Sequence, residues 1–188
     1  MDVELEQVHR LTLDEYHQLI ESGGFDEDTR VELIDGLLVD MSPKTREHEN
    51  AIAWLALWLF THCDHVRFEV RVAAVLTLEH SEPEPDLIVV PHDVARPYHP
   101  GTASLVIEVS VSPQRRDLVV KPSLYARTGV TEYWVVDLDA RRVVCHRDPH
   151  PDGVYHDVTE VLDDGQLSAS SVDLPPLDVG ELLAGAER

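Results

Sequence analysis

One carboxylate stands out because of the apolar residues around it. Glu108 lies within residues 105–111 (LVIEVSV), where the alternation of a β-strand places Val106, Glu108 and Ser110 on one face. Such an apolar strand is typical of the centre of a sheet, where both faces are covered. A buried carboxylate is costly unless it is paired, protonated or bound to a metal ion. We therefore predict that Glu108 is a metal ligand; the alternative is that its face is exposed to solvent.

A second carboxylate, Asp86, opens another apolar strand. It follows Pro85 and precedes residues 87–91 (LIVVP). Taken alone, Asp86 is explained as part of an acidic loop. If its strand lies next to that of Glu108, however, the two side chains converge at one end of the sheet. Two hard oxygen ligands without His or Cys select Mg²⁺ or Mn²⁺, so the pair predicts a site for one of these ions.

Lys121 is the third residue of this candidate site, and it is one of only two lysines in the chain. An amine beside a metal site can orient a water molecule or stabilise the charge that develops on a phosphate. Because Pro122 disfavours helical dihedrals at the residue before it, we expect a helix to begin at Pro122 and Lys121 to point into the sheet from the helix entrance. The alternative is an ordinary surface pair with Asp117, four residues earlier in a helix.

The segments around these residues predict an α/β fold, a mixed sheet flanked by helices. Thr12 and Glu15 have the spacing of a capping box, which predicts an N-terminal helix, and Asp35-Gly36 is a strong hairpin signal. We expect one domain over residues 1–188, with its core at about 11–183. The further elements are a buried helix at about 47–62, strands at 67–78, 87–91 and 105–111, a helix ending near Gly129, a hairpin at 131–147, and a strand and a small helix in the tail.

The overall charge argues against a nucleic-acid partner. The chain has 36 acidic and 15 basic residues and a formal net charge of -21, and a phosphate backbone repels a net anion. A solvated acidic surface explains this total. Binding to nucleic acid therefore requires a local basic or metal-bearing cleft that overcomes the global field.

Other sequence features exclude some classes of protein. The two cysteines, Cys63 and Cys145, form no CxxC pair, so we expect no zinc site. The acidic N-terminus and the lack of a long apolar run predict neither a signal peptide nor a membrane span, and we expect a cytoplasmic protein without a membrane partner.

An ordered set of short motifs extends over nearly the whole chain and resembles the Uma-two family of restriction-endonuclease-like proteins. The set comprises residues 32–36 (ELIDG), Ser42-Pro43, His48, Pro85-Asp86, residues 108–110 (EVS), Lys121, Tyr125, Gly129-Val130 and residues 132–137 (EYWVVD). The family is assigned to the PD-(D/E)XK nuclease superfamily. The resemblance therefore implies a restriction-endonuclease-like core with an N-terminal helix and hairpin, and Mg²⁺-dependent cleavage of DNA.

By the same resemblance, Asp86 is the D of the motif and Glu108 is its E. The motif has Lys two residues after the Glu, where this chain has Ser110, and the resemblance implies that Lys121 replaces it. Glu32 is implied as a further metal ligand or a support for one, with an exposed strand residue as the alternative. His48 matches a family position, although a polar surface residue explains it as well.

Two other groups have a place near the predicted site. Arg115 and Arg116 are candidate phosphate-binding residues, because Arg binds phosphate through two parallel hydrogen bonds; the alternative is charge balance on an acidic surface. The aromatic side chains are interpreted as walls of the core or cleft rather than catalytic groups: Tyr125, Tyr133 and Trp134.

Three functions remain open at this point. In the first, Asp86, Glu108 and a backbone carbonyl near Val109 bind Mg²⁺ or Mn²⁺, water attacks the phosphorus of DNA, and Lys121 stabilises the developing charge. In the second, the chain is a catalytically inactive nuclease-fold module that serves acidic interaction or regulation, for instance as a homodimer; the charge of -21 and Ser110 motivate it. The third is hydrolysis of another phosphodiester or of a nucleotide.

Overall fold

The N-terminal elements form as their sequence predicts. The computed structural model describes residues 8–26, 28–41, 43–94, 99–111 and 116–188, with Arg116 described in its backbone alone. Helix α1 (Leu13–Glu21) begins after Thr12, whose side chain accepts a hydrogen bond from the Glu15 N–H, while the Glu15 carboxylate accepts one from the Thr12 N–H. Strands β1 (Val31–Ile34) and β2 (Leu37–Asp40) form a hairpin around Asp35 and Gly36, both of which have positive φ.

The centre of the fold is a six-stranded sheet in the order β3-β4-β5-β6-β7-β8. Strands β5 and β6 run parallel, and the other neighbours are antiparallel. A parallel pair requires a crossover connection, which here contains a π-helical turn (Arg116–Val120) and helix α3 (Lys121–Arg127). The six strands are β3 (Phe68–Val72), β4 (Leu87–Pro91), β5 (Leu105–Ser110), β6 (Glu132–Asp137), β7 (Arg142–His150) and β8 (Val154–Leu162).

Helices cover both faces of this sheet. On one face, α2 (Arg46–His62) and α4 (Val179–Ala186) pack against Ile107 and Trp134. On the other face, α3 packs against Val106, and this is the face to which Glu108 belongs. A small two-stranded sheet of β9 (Gln166–Leu167) and β10 (Leu177–Asp178) precedes α4. In the part of the chain that the structure describes, none of the helices has the length and apolar character needed to cross a bilayer.

The predicted strand at 67–78 is wrong in its second half, since β3 ends at Val72. Ala73 has a φ of 47° and donates its N–H to the Asp86 carbonyl at 2.8 Å. The chain then leaves the sheet, and Leu76 and Leu78 are buried on the face that α3 covers. The alternating apolar residues that suggested a longer strand are therefore buried by an irregular segment.

Candidate active site

Asp86 and Glu108 lie on neighbouring strands, and the strand register brings them together. In the antiparallel pair β4–β5, Leu87 lies opposite Ile107, so the next step of the register places Asp86 opposite Glu108. Opposite residues of adjacent strands share one face of the sheet. Both carboxylates line the same cleft, which has a volume of about 250 Å³, and they are 8% and 7% exposed, respectively. The alternative of a solvent-exposed Glu108 is therefore wrong.

Asp86 is held through one of its two carboxylate oxygens. Its Oδ2 accepts a hydrogen bond from the Val109 N–H at 2.8 Å and lies 3.2 Å from Nε2 of His48. His48 belongs to the first turn of α2, where its own N–H donates to the side chain of the N-cap residue Thr45. No described residue donates a hydrogen bond to Oδ1 of Asp86.

Glu108 is contacted by two residues of α3. Its Oε1 accepts hydrogen bonds from Nζ of Lys121 at 2.7 Å and from the hydroxyl of Tyr125 at 3.3 Å. Lys121 and Tyr125 are four residues apart, so they project from the same face of the helix. No described donor reaches Oε2. Within the described part of the chain, Glu108 and Asp86 therefore each have one oxygen without a donor, which suits a hard divalent cation such as Mg²⁺.

The protein leaves the charge of Glu108 incompletely compensated. Burial raises the pKa of Glu108 to about 8, because the loss of hydration outweighs the opposing charge of Lys121, and the carboxylates of Asp86 and Glu32 act in the same direction as burial. Without a further cation, burial therefore disfavours the ionised form of this carboxyl. A divalent ion in the cleft is the kind of charge that would favour its ionised form.

Lys121 is buried, with 4% of its surface exposed, and it lies between two carboxylates. Its Nζ is 2.7 Å from Oε1 of Glu108 and 3.3 Å from Oε2 of Glu32. Burial alone lowers the pKa of Lys121, but the charges of Glu108 and Glu32 outweigh it and raise that pKa above its ordinary value. The amine therefore stays protonated. Helix α3 begins at Lys121, one residue before the predicted position.

Glu32 is not the exposed strand residue that was the alternative, because only 2% of its surface is exposed. Its Oε2 accepts a hydrogen bond from the Glu84 N–H at 3.4 Å. The backbone N–H of the next residue, Leu33, donates to the Glu82 carbonyl, and the Glu82 N–H donates to the Leu33 carbonyl. These two hydrogen bonds hold the β1–β2 hairpin beside the cleft. Glu32 thus pairs with Lys121, and its role as a metal ligand stays a prediction.

The chain is similar in sequence and in fold to nuclease-like proteins. Residues 13–179 match the model of the Uma2 family, which is described as "Putative restriction endonuclease". The chain belongs to this family. A crystal structure of a "putative nuclease belonging to DUF820" from Anabaena variabilis superposes with a TM-score of 0.75 at 15% identity, covering 94% of this chain and 99% of that one. At this identity the likeness shows the fold alone. A search of curated proteins found no match.

Membership of Uma2 confirms the resemblance, and the crystal structure confirms the α/β fold class. Three residues named from the sequence lie outside this description: Ser42 and Arg115 are not among the described residues, and neither is the side chain of Arg116. Phosphate binding by the two arginines stays a prediction. Trp134 and Tyr133 are fully buried core residues.

The sequence did not reveal every residue at the Uma2 cleft. Its lining includes Arg30 and Lys44, to which no role was assigned. The contact between His48 and Asp86 was also missed, because nothing in the sequence shows that the start of α2 lies beside the start of β4. Elsewhere, the exposed side chains of His150, Asp152 and His156 approach one another around the turn between β7 and β8, outside the cleft.

Proposed function

We propose that this Uma2 protein is a metal-dependent endonuclease that hydrolyses DNA phosphodiester bonds in the cleft of Asp86, Glu108 and Lys121. One observation carries the proposal: two carboxylates from neighbouring strands and a buried amine meet in one cleft, and each carboxylate has an oxygen that no donor among the described residues reaches. The family description supports the same class of reaction.

Each residue has a distinct role in this proposal. Asp86 and Glu108 would hold Mg²⁺ or Mn²⁺, with Glu32 as a further candidate ligand. Such an ion, when bound, supplies water of lowered pKa and neutralises charge on the phosphate. Because the pKa of Lys121 is raised by its two carboxylate neighbours, its amine stabilises negative charge on the phosphate and does not accept a proton.

The neighbours of these groups position them. The Val109 N–H and His48 fix the orientation of Asp86 through Oδ2, and the Tyr125 hydroxyl donates to Glu108. Contacts of this kind hold metal ligands in the geometry that the ion requires. Since burial raises the pKa of Glu108, metal binding should become tighter as the pH rises.

The test is cleavage of plasmid and oligonucleotide DNA with Mg²⁺ or Mn²⁺. We expect Asp86→Asn and Glu108→Gln to lower kcat by at least about a hundredfold, because charge stabilisation in a site of this kind is commonly worth that much. Glu84→Gln is the matched control, since Glu84 also lines the cleft but has no assigned role, and it should retain activity. Both ions should raise the Tm of the wild-type protein and leave that of Asp86→Asn unchanged.

Two outcomes would contradict the proposal. Cleavage by Asp86→Asn and Glu108→Gln at the wild-type rate would show that the reaction occurs elsewhere. No cleavage of single-stranded, duplex or branched DNA by the wild-type protein, together with no metal-dependent change in Tm, would favour the inactive module. The single domain over residues 1–188, the homodimer and the cellular compartment stay predictions.

A further inference from the structure

The rare lysines of this acidic chain both lie at the same cleft. The chain has 36 acidic residues and two lysines, and Lys44 and Lys121 both contribute to the cleft lining together with Arg30. Lys121 forms ion pairs with Glu108 and Glu32. The charges of Arg30 and Lys44 therefore require a separate explanation.

Arg30 and Lys44 are exposed, and neither forms an ion pair with a described carboxylate. Acidic side chains do pair with arginines elsewhere in the molecule, since five other arginines form ion pairs: Arg71, Arg127, Arg141, Arg142 and Arg147. With so many acids available, the two unpaired cations at the cleft are free to bind an external anion.

Local structure holds both cations beside the cleft. The Arg30 carbonyl accepts a hydrogen bond from the Met41 N–H at 3.0 Å, and an Nη of Arg30 lies 3.9 Å from the Met41 sulfur. Lys44 immediately precedes Thr45, the N-cap of α2, where the helix dipole adds partial positive charge. The two cations thus come from different elements and line one cleft.

The acids and these cations differ in depth. Glu32, Asp86 and Glu108 are buried, so they form the floor of the cleft, whereas Arg30 and Lys44 are exposed and form its rim. A nucleic-acid strand whose scissile phosphate lies at the floor has its neighbouring phosphates at the rim. The rim therefore offers positive charge where a bound strand carries negative charge.

We propose that Arg30 and Lys44 form a phosphate-binding rim, which holds the phosphodiesters that flank the scissile one in a nucleic-acid strand. This inference rests on the proposed function, because the nuclease assignment defines the floor of the cleft. It also explains how a chain of charge -21 binds a polyanion: contact is limited to a few phosphates, so affinity should depend only weakly on salt.

The test is binding of fluorescein-labelled single-stranded and duplex oligonucleotides, measured by anisotropy over a range of salt concentrations. The protein is the Glu108→Gln variant, in which we expect cleavage to be too slow to consume the probe. Added Arg30→Gln or Lys44→Gln should weaken binding by roughly 2- to 10-fold. Each should also make the slope of log K against log salt shallower by roughly 0.7 for a single strand or 0.9 for a duplex. The rim holds the form of nucleic acid whose affinity is lowered by these substitutions.

Arg67→Gln is the matched control, because Arg67 is exposed and borders a different pocket. It should leave both the affinity and the salt slope unchanged. Lys44→Glu extends the series by reversing the charge, and its effect should exceed that of Lys44→Gln. Circular dichroism and Tm show whether each variant is folded, which we expect because both side chains are on the surface.

The outcomes separate this inference from the proposed function. Suppose that the wild-type protein cleaves DNA but that the Arg30 and Lys44 variants bind with unchanged affinity and salt dependence. The proposed phosphate-binding role of the rim is then wrong, and the nuclease assignment stands. If the wild-type protein does not cleave but binding depends on Arg30 and Lys44 as described, the rim stands and the catalytic assignment fails. In an active enzyme, the same variants should raise KM and leave kcat nearly unchanged.

Discussion

Two buried glutamates on adjacent parallel strands differ in how completely the protein compensates their charge. Glu132 is the first residue of β6 and lies opposite Leu105, whereas Glu108 lies further along β5 and opposite Val135. Glu132 is fully buried, and Glu108 is 7% exposed. Glu108 interrupts an apolar strand, whereas Glu132 begins one.

Glu132 has a complete set of donors. Its Oε1 accepts hydrogen bonds from the indole N–H of Trp134 and from Nε of Arg147, both at 2.8 Å. Its Oε2 accepts bonds from the N–H and hydroxyl groups of Ser170 and Ser171. Burial raises the pKa of Glu132, but these donors outweigh burial and the net pKa lies below its ordinary value. Glu132 therefore links the segment that contains Ser170 and Ser171 to strand β6.

The described donors to Glu108 contact one of its oxygens only, and burial raises its pKa. Burial of a carboxylate therefore does not by itself indicate function. A buried carboxylate whose two oxygens both accept hydrogen bonds, such as that of Glu132, stabilises the fold. A carboxylate in a cleft whose charge is incompletely compensated, such as that of Glu108, is suited to bind a cation.

The largest expected effect is the difference in stability between Glu132→Gln and Glu108→Gln, which distinguishes a structural carboxylate from a cation-binding one. We expect Glu132→Gln to lower the free energy of unfolding by about 3 kcal/mol, because it removes the buried charge that Arg147 contacts at 2.8 Å and places an amide N–H₂ against hydrogen-bond donors. Glu108→Gln in EDTA should cause a much smaller loss or a gain, because burial already disfavours the ionised form of Glu108 and Lys121 keeps Glu32. Urea unfolding at neutral pH measures both values.

Equal losses of stability in the two variants would contradict the comparison, and so would a larger loss in Glu108→Gln. Glu160→Gln is a control for loss of a carboxylate on the same sheet. Glu160 is exposed and forms a surface pair with Arg142, so its replacement should cost no more than about 1 kcal/mol.

The sequence predicts the local elements of this fold well, because their signals are local. Thr12 and Glu15 are enough to specify the start of α1, and Asp35-Gly36 specifies the hairpin. The failure at residues 73–78 has a physical reason: alternation of apolar residues records which side chains are buried, and it does not show whether a sheet or an irregular segment buries them.

The site is predictable only in part from sequence. The apolar strand around Glu108 marks it as unusual. Glu132 also adjoins an apolar strand, and nothing local reveals that Ser170 and Ser171 complete its hydrogen bonds. Convergence of Asp86 with Glu108 depends on the register of β4 and β5. The contact of His48 depends on helix placement. These are long-range properties of the folded chain.

The two glutamates should also respond to pH in opposite directions. The folded-state pKa of Glu108 is about 8 against an ordinary value of 4.5, so between these values the folded protein binds more protons than the unfolded one. In EDTA, the stability contributed by this residue should therefore fall as pH rises, by up to about 1.4 kcal/mol per pH unit. For Glu132, whose pKa is lowered, stability should fall as pH falls.

Urea unfolding of the wild-type protein and of Glu108→Gln, at a series of pH values in EDTA, measures the first effect as a difference between the two proteins. The free energy of unfolding of the wild-type protein should fall relative to that of Glu108→Gln as the pH rises from 4.5 to about 8. A difference that does not change with pH would show that Glu108 ionises as an ordinary glutamate and would remove the contrast with Glu132. The Asp14→Asn variant, at an exposed position of α1, controls for the loss of one carboxylate.

The smallest expected effect concerns the weaker of the two donors to Glu108. Tyr125→Phe removes the hydroxyl that lies 3.3 Å from Oε1 and keeps the ring packed against Tyr133, so stability should fall by about 1 kcal/mol or less. Loss of a donor to the ionised form should raise the pKa of Glu108 further, which a carboxyl NMR titration detects. Tyr155→Phe, whose hydroxyl donates to the Val130 carbonyl instead, should cost similar stability without that shift. Cleavage should fall only a few-fold, since Lys121 and the open oxygen of Glu108 remain; a loss as complete as in Glu108→Gln would mean that the hydroxyl takes part in the reaction itself.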